Sequence, residues 1–85
     1  MSRLGLIAGN GQFPLLFAEA ARAEGVEIVA VAQEGETPAE ITALLPEVTW
    51  VRVGELGKII TTFQQAGVTQ AVMAGGINKA GAMTN

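Results

Sequence analysis

Two glycine segments are the parts of this sequence best suited to holding a ligand. The first, Gly9-Asn10-Gly11, follows an apolar stretch and leads through Gln12 into a helix-like stretch that contains Pro14. Glycine lets the backbone turn sharply and lets a ligand approach the main chain closely. Proline suits the first turn of a helix, where free N–H groups attract anions and above all phosphate. This segment therefore predicts a turn that binds a phosphate or a nucleotide.

The second segment, Gly75-Gly76, follows another apolar stretch, and Lys79 lies three residues beyond it. A lysine at that position could reach a bound phosphate, although a solvated lysine is the more ordinary interpretation. The glycines themselves have a second interpretation, in which they serve only turn geometry and close backbone packing. We favour ligand binding for the first segment, while for Gly75-Gly76 ligand binding and close backbone packing against strand 1 stand equal. Asn10 and Gln12 are the side chains of the first segment that can form hydrogen bonds to a ligand, and Asn10 alternatively shapes the turn.

The remaining residues do not form a catalytic centre of a familiar kind. The chain has no Asp, His, Cys or Tyr, and its titratable side chains are eight Glu, three Arg and two Lys. A Ser/His/Asp or Cys/His nucleophile system cannot be built from this set. Protein ligands for a metal are reduced to Glu, amide and backbone oxygens. We therefore predict no catalytic and no metal-binding residue in this chain, and expect chemistry to come from elsewhere.

Composition indicates a small folded chain. The 85 residues are 49% hydrophobic and only 15% charged, which favours a buried core over disorder. The net charge of −3 gives no general attraction for nucleic acid. No apolar run reaches the length of a membrane span, the N-terminus lacks the core of a signal peptide, and there is no cysteine. We expect a cytoplasmic protein.

Hydrophobic periodicity predicts four strands that alternate with three helices. The strands are expected at residues 4–8, 27–32, 48–53 and 70–74, and the helices at 13–24, 38–45 and 56–66. This alternation is typical of an α/β fold with a Rossmann-like parallel sheet, and right-handed crossovers give the strand order 3-2-1-4. Strands 1 and 4 are then neighbours where the winding reverses, which is where such folds bind ligands. The two glycine segments should therefore lie side by side.

Three local patterns refine this prediction. Phe13, Phe17, Ala20 and Ala21 share a face of the first helix, which predicts the buried face. The run Thr37-Pro38-Ala39-Glu40 matches a capping box at the start of the second helix. The alternation around Trp50 predicts an edge position for the third strand, with that side chain partly buried.

A dinucleotide-binding module is a second functional interpretation. Gly9 and Gly11 fit the first two glycines of that fingerprint, but Pro14 occupies the third position. Glu34 lies about where such folds place a ribose-binding acid, although an ordinary polar loop explains it better. Arg52 and Lys58 are expected to be solvated charges.

Four segments together resemble the N-terminal region of the LpxI family. They are LIAGNGQFP at residues 6–14, VAVAQEGE at 29–36, WVRVGELGK at 50–58 and AVMAGGINK at 71–79. The resemblance implies hydrolysis of the pyrophosphate of UDP-2,3-diacylglucosamine, a step of lipid A synthesis in Gram-negative bacteria, to UMP and 2,3-diacylglucosamine 1-phosphate (lipid X). It also implies a divalent metal, usually Mg²⁺, whose ligands lie in a C-terminal domain that has no counterpart in these 85 residues.

The resemblance gives this chain the role of a truncated N-terminal, substrate-binding domain of such an enzyme. Gly9, Asn10, Gly11 and the Gly75-Gly76 pair inherit a binding role, and no catalytic residue carries over. The expected partners are a UDP-sugar lipid, the C-terminal domain and a second copy of the chain, with at most peripheral contact to the inner membrane. The alternatives are a general nucleotide-binding module and a structural half-domain that binds no ligand.

Overall fold

The computed structural model describes residues 3–77, which form one four-stranded sheet and three helices. Every strand pairing is parallel, and the strand order is β3-β2-β1-β4. This confirms the predicted α/β fold and its strand order. In chain order the elements are β1 (Arg3–Ala8), α1 (Phe13–Ala23), β2 (Glu27–Gln33), α2 (Ile41–Leu44), β3 (Val48–Val51), α3 (Leu56–Gln65) and β4 (Gln70–Ala74).

The core has two layers because β2 is covered on both faces. Ile28, Ala30 and Ala32 pack in the cluster beneath α1 and α2, whereas Val29 and Val31 pack in the cluster beneath α3. Alternate residues of a strand point to opposite faces, so a strand buried on both sides must be apolar throughout. Burial on both faces therefore explains the continuous apolar run from which β2 was predicted.

The predicted buried face of α1 is correct only in part, because Ala21 is buried and Phe17 packs partly buried against the core, whereas the other two predicted residues are exposed. Pro14, Ala18 and Ala21 are the buried residues of this helix, whereas Phe13 is 61% exposed and Ala20 is also exposed. Small side chains on the sheet side let the helix lie close to the strands, and the large Phe13 is left outside. The helix therefore faces the sheet with its small residues, and its aromatic residues do not form the centre of the contact.

The predicted capping box is wrong. α2 begins only at Ile41, Glu40 is its N-cap residue, and no side chain caps it. The Thr37 hydroxyl is buried and is used elsewhere, because it hydrogen-bonds the backbone of β1 and β2. A threonine engaged in this way cannot cap a following helix, so the segment before Ile41 remains a turn.

The two edges of the sheet differ in how well they are covered. β3 lies at one edge, as predicted, and Trp50 is half-buried against the α1–α2 cluster. β3 ends at Val51, two residues before the predicted end, because a turn follows in which the Arg52 N–H donates to the Glu55 carboxylate (2.6 Å). β4 lies at the other edge, and only Ala74 of its five residues is buried.

A guanidinium joins several elements at the amino edge of the sheet. Arg3 lies 3.2 Å from the Glu27 carboxylate and 3.6 Å from that of Glu47, and it donates to the Ala66 carbonyl at the end of α3 (3.1 Å). These contacts are partly exposed, so each contributes little alone. Within residues 3–77, no helix has the length and apolar character needed to cross a membrane.

Candidate functional site

The two glycine segments meet at the carboxyl edge of the sheet, as predicted. We call residues 9–11 the first glycine turn and residues 75–76 the second glycine turn. The Gly9 N–H donates to the Ala74 carbonyl (2.8 Å), and the Asn10 N–H donates to the Gly76 carbonyl (2.7 Å). The turns are therefore joined by backbone hydrogen bonds that extend the β1–β4 pairing beyond the strands.

Close packing explains why Gly9 and Gly75 are glycines. A Cβ atom on Gly9 would lie 2.4 Å from the Gly76 carbonyl oxygen, and one on Gly75 would lie 2.5 Å from the Asn10 carbonyl oxygen. Gly75 also has a φ of +92°, which disfavours other residues. The backbone-packing interpretation is thus correct for the contact between the turns, and these two glycines have a structural role whether or not a ligand binds.

Gly11 lies in a different environment. Its φ is +84°, yet a Cβ atom there would have no neighbour within 4 Å. Gln12 follows as the N-cap residue of α1, and its exposed side chain makes no capping hydrogen bond. The first turn of α1 has backbone N–H groups with no partner inside the helix. The space beside Gly11, two residues before α1 begins, is therefore open, and the start of a helix is a place where anions bind.

The Asn10 side chain connects three segments. Its Nδ2 atom donates to Glu36 Oε1 (3.0 Å), and its Oδ1 atom accepts a hydrogen bond from the Gly76 N–H (3.2 Å). Asn10 thus links both glycine turns to the loop after β2. In this structure it positions the turns, and any contact with a ligand would come in addition to these bonds.

Gln33, Thr37 and the Ala8 carbonyl form a buried polar cluster next to the first glycine turn. Sequence analysis did not identify this cluster. The Ala8 carbonyl accepts hydrogen bonds from Gln33 Nε2 and from the Thr37 hydroxyl, each at 2.9 Å. The Thr37 hydroxyl in turn accepts one from the Gln33 N–H (2.8 Å). The end of β1 is therefore fixed immediately before the turn. A sequence signal was present in Gln33, which follows the apolar run of β2, and in Thr37 four residues later.

The carboxylate beside the turn belongs to Glu36 and not to Glu34. Glu34 is exposed, and its backbone N–H continues the pairing with β3 by donating to the Val51 carbonyl (2.8 Å). Arg52 and Lys58 are exposed, in agreement with their prediction as solvated charges. Lys79 lies outside the described residues.

The donor set does not fit a magnesium site. Among residues 3–77 there is no group of three or more carboxylate, imidazole or thiol side chains that could hold a metal ion. Glu36 is hydrogen-bonded to Asn10, an amide. Mg²⁺ usually takes one or two carboxylates together with water and substrate phosphates. No reaction step is therefore assigned to a metal held by the described residues.

The glycine turns form an open edge and line neither of two clefts found elsewhere on the described residues. Those clefts, of about 480 and 600 Å³, lie at the amino edge of the sheet, where Arg22 and Pro46 line the first and Arg3 and Ala66 the second. Ligands of open parallel sheets bind at the carboxyl ends of the strands, so we assign the candidate site to the glycine turns despite its lack of enclosure.

Comparison with known protein families gives one match for this chain. Residues 3–85 match the family model described as the LpxI N-terminal domain. The searches of curated proteins and of solved structures returned no match. The family match spans nearly the whole chain and includes both glycine turns. The chain therefore belongs to the LpxI family of lipid A biosynthesis, in which it corresponds to the N-terminal domain.

Proposed function

We propose that this chain is the substrate-binding part of a hydrolase that cleaves the pyrophosphate of UDP-2,3-diacylglucosamine, giving UMP and 2,3-diacylglucosamine 1-phosphate. The observation that carries the proposal is the pair of joined glycine turns at the carboxyl edge, in a chain that matches the LpxI N-terminal domain. The family match supports the pathway, and the open backbone at Gly11 supports the binding of a phosphate.

The first turn of α1 is the part of the site suited to the pyrophosphate. Gly11 leaves the space in front of the helix open, and the helix start presents backbone N–H groups and the positive end of its dipole. The bonds of Asn10 to Gly76 and Glu36 hold this turn in one arrangement before a ligand arrives. A preformed turn binds at a lower entropic cost than one that must order itself.

Bond cleavage requires groups that the described residues do not assemble. We propose that Mg²⁺ and the acidic residues which hold it belong to the C-terminal domain of the family, and that the lipid substrate binds between the two domains. In this division of labour the present chain orients the phosphates, while the other domain supplies the metal. The parent enzyme would act in the cytoplasm, at the surface of the inner membrane.

Amide chemical shifts of the ¹⁵N-labelled chain test the proposal. UDP, UMP and NAD are titrated separately, with inorganic phosphate as a fourth ligand. We expect UDP and UMP to shift the amides of Gly9, Gly11 and Gln12, and NAD to leave them unchanged. Shifts with NAD would favour the general dinucleotide module instead. No shift with any ligand would favour a structural half-domain.

A matched pair of variants separates binding from backbone strain. Gly11→Ala and Gly25→Ala both place a methyl group at a positive φ (+84° and +73°) with no neighbour within 4 Å. Gly25 lies after α1, at the opposite edge of the sheet. Both variants should lose a similar amount of stability. Only Gly11→Ala should weaken UDP binding, raising the dissociation constant from the shift titration at least about fivefold, which corresponds to roughly 1 kcal/mol. Equal affinity in the two variants would contradict binding at the first glycine turn.

A further inference from the structure

Glu36 is an acidic residue at the candidate site to which the proposed function gives only a structural role. Its Oε1 atom accepts a hydrogen bond from Asn10 Nδ2 (3.0 Å), so the carboxylate lies beside the first glycine turn. The residue is half-buried, and its N–H donates to the Gln33 carbonyl (3.0 Å). The next residue, Thr37, is bonded to the end of β1. The fold therefore sets the position of this carboxylate before a ligand binds.

The charge of Glu36 is explained neither by its bond to Asn10 nor by phosphate binding. A glutamine at this position would offer Asn10 the same kind of acceptor oxygen without a charge. A carboxylate beside a turn that binds pyrophosphate repels the phosphates. A role for the charge therefore requires hydrogen-bond donors in another part of the ligand.

The ribose of the proposed substrate supplies such donors. A carboxylate has about four acceptor sites on its two oxygens, so the bond to Asn10 leaves Glu36 the capacity to accept others. Positions 2 and 3 of the glucosamine carry acyl groups in UDP-2,3-diacylglucosamine. The 2′- and 3′-hydroxyls of the ribose are then the pair of hydroxyls on adjacent carbons, and such a pair matches the two oxygens of a carboxylate.

We propose that Glu36 accepts hydrogen bonds from the ribose hydroxyls of the uridine and thereby fixes the direction in which the substrate lies across the sheet. This inference rests on the proposed function. β1 lies between β2 and β4, Glu36 is on the loop after β2, and Gly76 follows β4. With the pyrophosphate at the first glycine turn, the uridine lies towards β2 and the acylated sugar towards β4. Sheets that bind dinucleotides also place a ribose-binding acid after the second strand.

The experiment compares UDP with 2′-deoxyuridine 5′-diphosphate, which lacks one of the two hydroxyls, on the ¹⁵N-labelled 85-residue chain. Dissociation constants are obtained from the amide shift of Gly11. The parent should bind UDP at least about fivefold more tightly, because a site that hydrogen-bonds a hydroxyl rejects a ligand without it. This comparison on the parent depends on no variant. Glu36→Gln should reduce the preference to less than about twofold, since it keeps an oxygen for Asn10 but loses the charged acceptor.

Glu34→Gln is the matched control, because it makes the same change at an exposed residue of the same loop. It should leave the preference for UDP unchanged. Inorganic pyrophosphate gives a second measurement, in which Glu36→Gln should bind at least as tightly as the parent because a repulsion has been removed. A residue that only held Asn10 in place would have a different effect, since its loss would weaken all three ligands and leave the preference for UDP intact.

The possible results separate this inference from the proposed function. Equal affinity of the parent for UDP and its deoxy analogue would overturn the role of Glu36 and leave the proposed function in place. So would a preference that survives Glu36→Gln or that disappears in Glu34→Gln. No shift of Gly11 with either UDP or inorganic pyrophosphate would overturn the proposed function, and this inference with it.

Discussion

At the scale of single residues, Asn10 is the side chain on which the candidate site depends most. It donates to Glu36 on the loop after β2 and accepts from Gly76 after β4. An aspartate would keep the acceptor but replace the donor with a second negative oxygen. The amide of Asn10 is therefore matched to a carboxylate on one side and to an N–H group on the other.

We predict that Asn10→Asp destabilises the fold by about 1–2 kcal/mol, since it loses one partly buried hydrogen bond and brings two carboxylates together. The double variant Asn10→Asp/Glu36→Gln restores a donor–acceptor pair with the polarity reversed. The free energy of unfolding of the double variant should exceed the value obtained by adding the two single effects. The excess should be at least half of the stability that Asn10→Asp loses. Urea unfolding of the parent, both single variants and the double variant measures this. A strictly additive result would show that the Asn10–Glu36 bond contributes nothing.

At the scale of elements, the candidate site depends on how closely two turns approach. Gly9 and Gly75 let the ends of β1 and β4 lie in backbone contact, and this contact joins the central strand to an edge strand. Gly11 has no comparable packing role. Glycine thus allows close backbone packing at residues 9 and 75, whereas at residue 11 it allows a positive φ beside open space.

We predict that Gly9→Ala destabilises the fold by about 1–3 kcal/mol, because the new methyl group would overlap the Gly76 backbone, which must move. The matched control is Gly57→Ala near the start of α3, where a Cβ atom has no neighbour within 4 Å. That control should be neutral or stabilising by up to about 1 kcal/mol, since alanine is the better helix former. Thermal unfolding with amide spectra of Gly76 provides the measurement. Equal stability of the two variants would show that the turns separate at no cost.

The sequence was a good guide to the elements and to their order in the sheet, and a poorer one to the individual side-chain contacts between elements. β2 and the strand order followed from an apolar run and from the handedness of crossovers. The buried face of α1 followed only in part, because counting hydrophobic residues favours Phe13 over the small residues Pro14 and Ala18 that fit against the sheet. The role of Thr37 was missed for a related reason. A local capping motif was visible in the sequence, while its partner, the Ala8 carbonyl, is 29 residues away.

At the scale of the whole molecule, the two ends of the sheet differ. The amino edge holds Arg3 and its ion pairs together with both large clefts, whereas the carboxyl edge holds the glycine turns and the buried polar cluster. No described residue at either edge belongs to a set that could hold a metal ion. The candidate site thus lies at the carboxyl edge, away from both clefts.

We predict that residues 1–85 alone release no UMP from UDP-2,3-diacylglucosamine in the presence of Mg²⁺, since hydrolysis at neutral pH needs a positioned metal or an activated nucleophile. The assay follows UMP formation by the purified chain, with a complete two-domain enzyme of the LpxI family as the positive control. Metal-dependent turnover that persists at constant specific activity through repeated purification would contradict the prediction.

The hydrogen bond from the Gly76 N–H to Asn10 has a consequence for how the protein is made. It joins residues that are 66 positions apart. A chain synthesised from its N-terminus presents the first glycine turn early, but the second glycine turn exists only after almost all of the described chain has been produced. Closing so long a loop carries an entropic cost that earlier contacts must already have lowered. The candidate site is therefore expected to form in the last stage of folding, and an incomplete chain would contain the first glycine turn without forming the site.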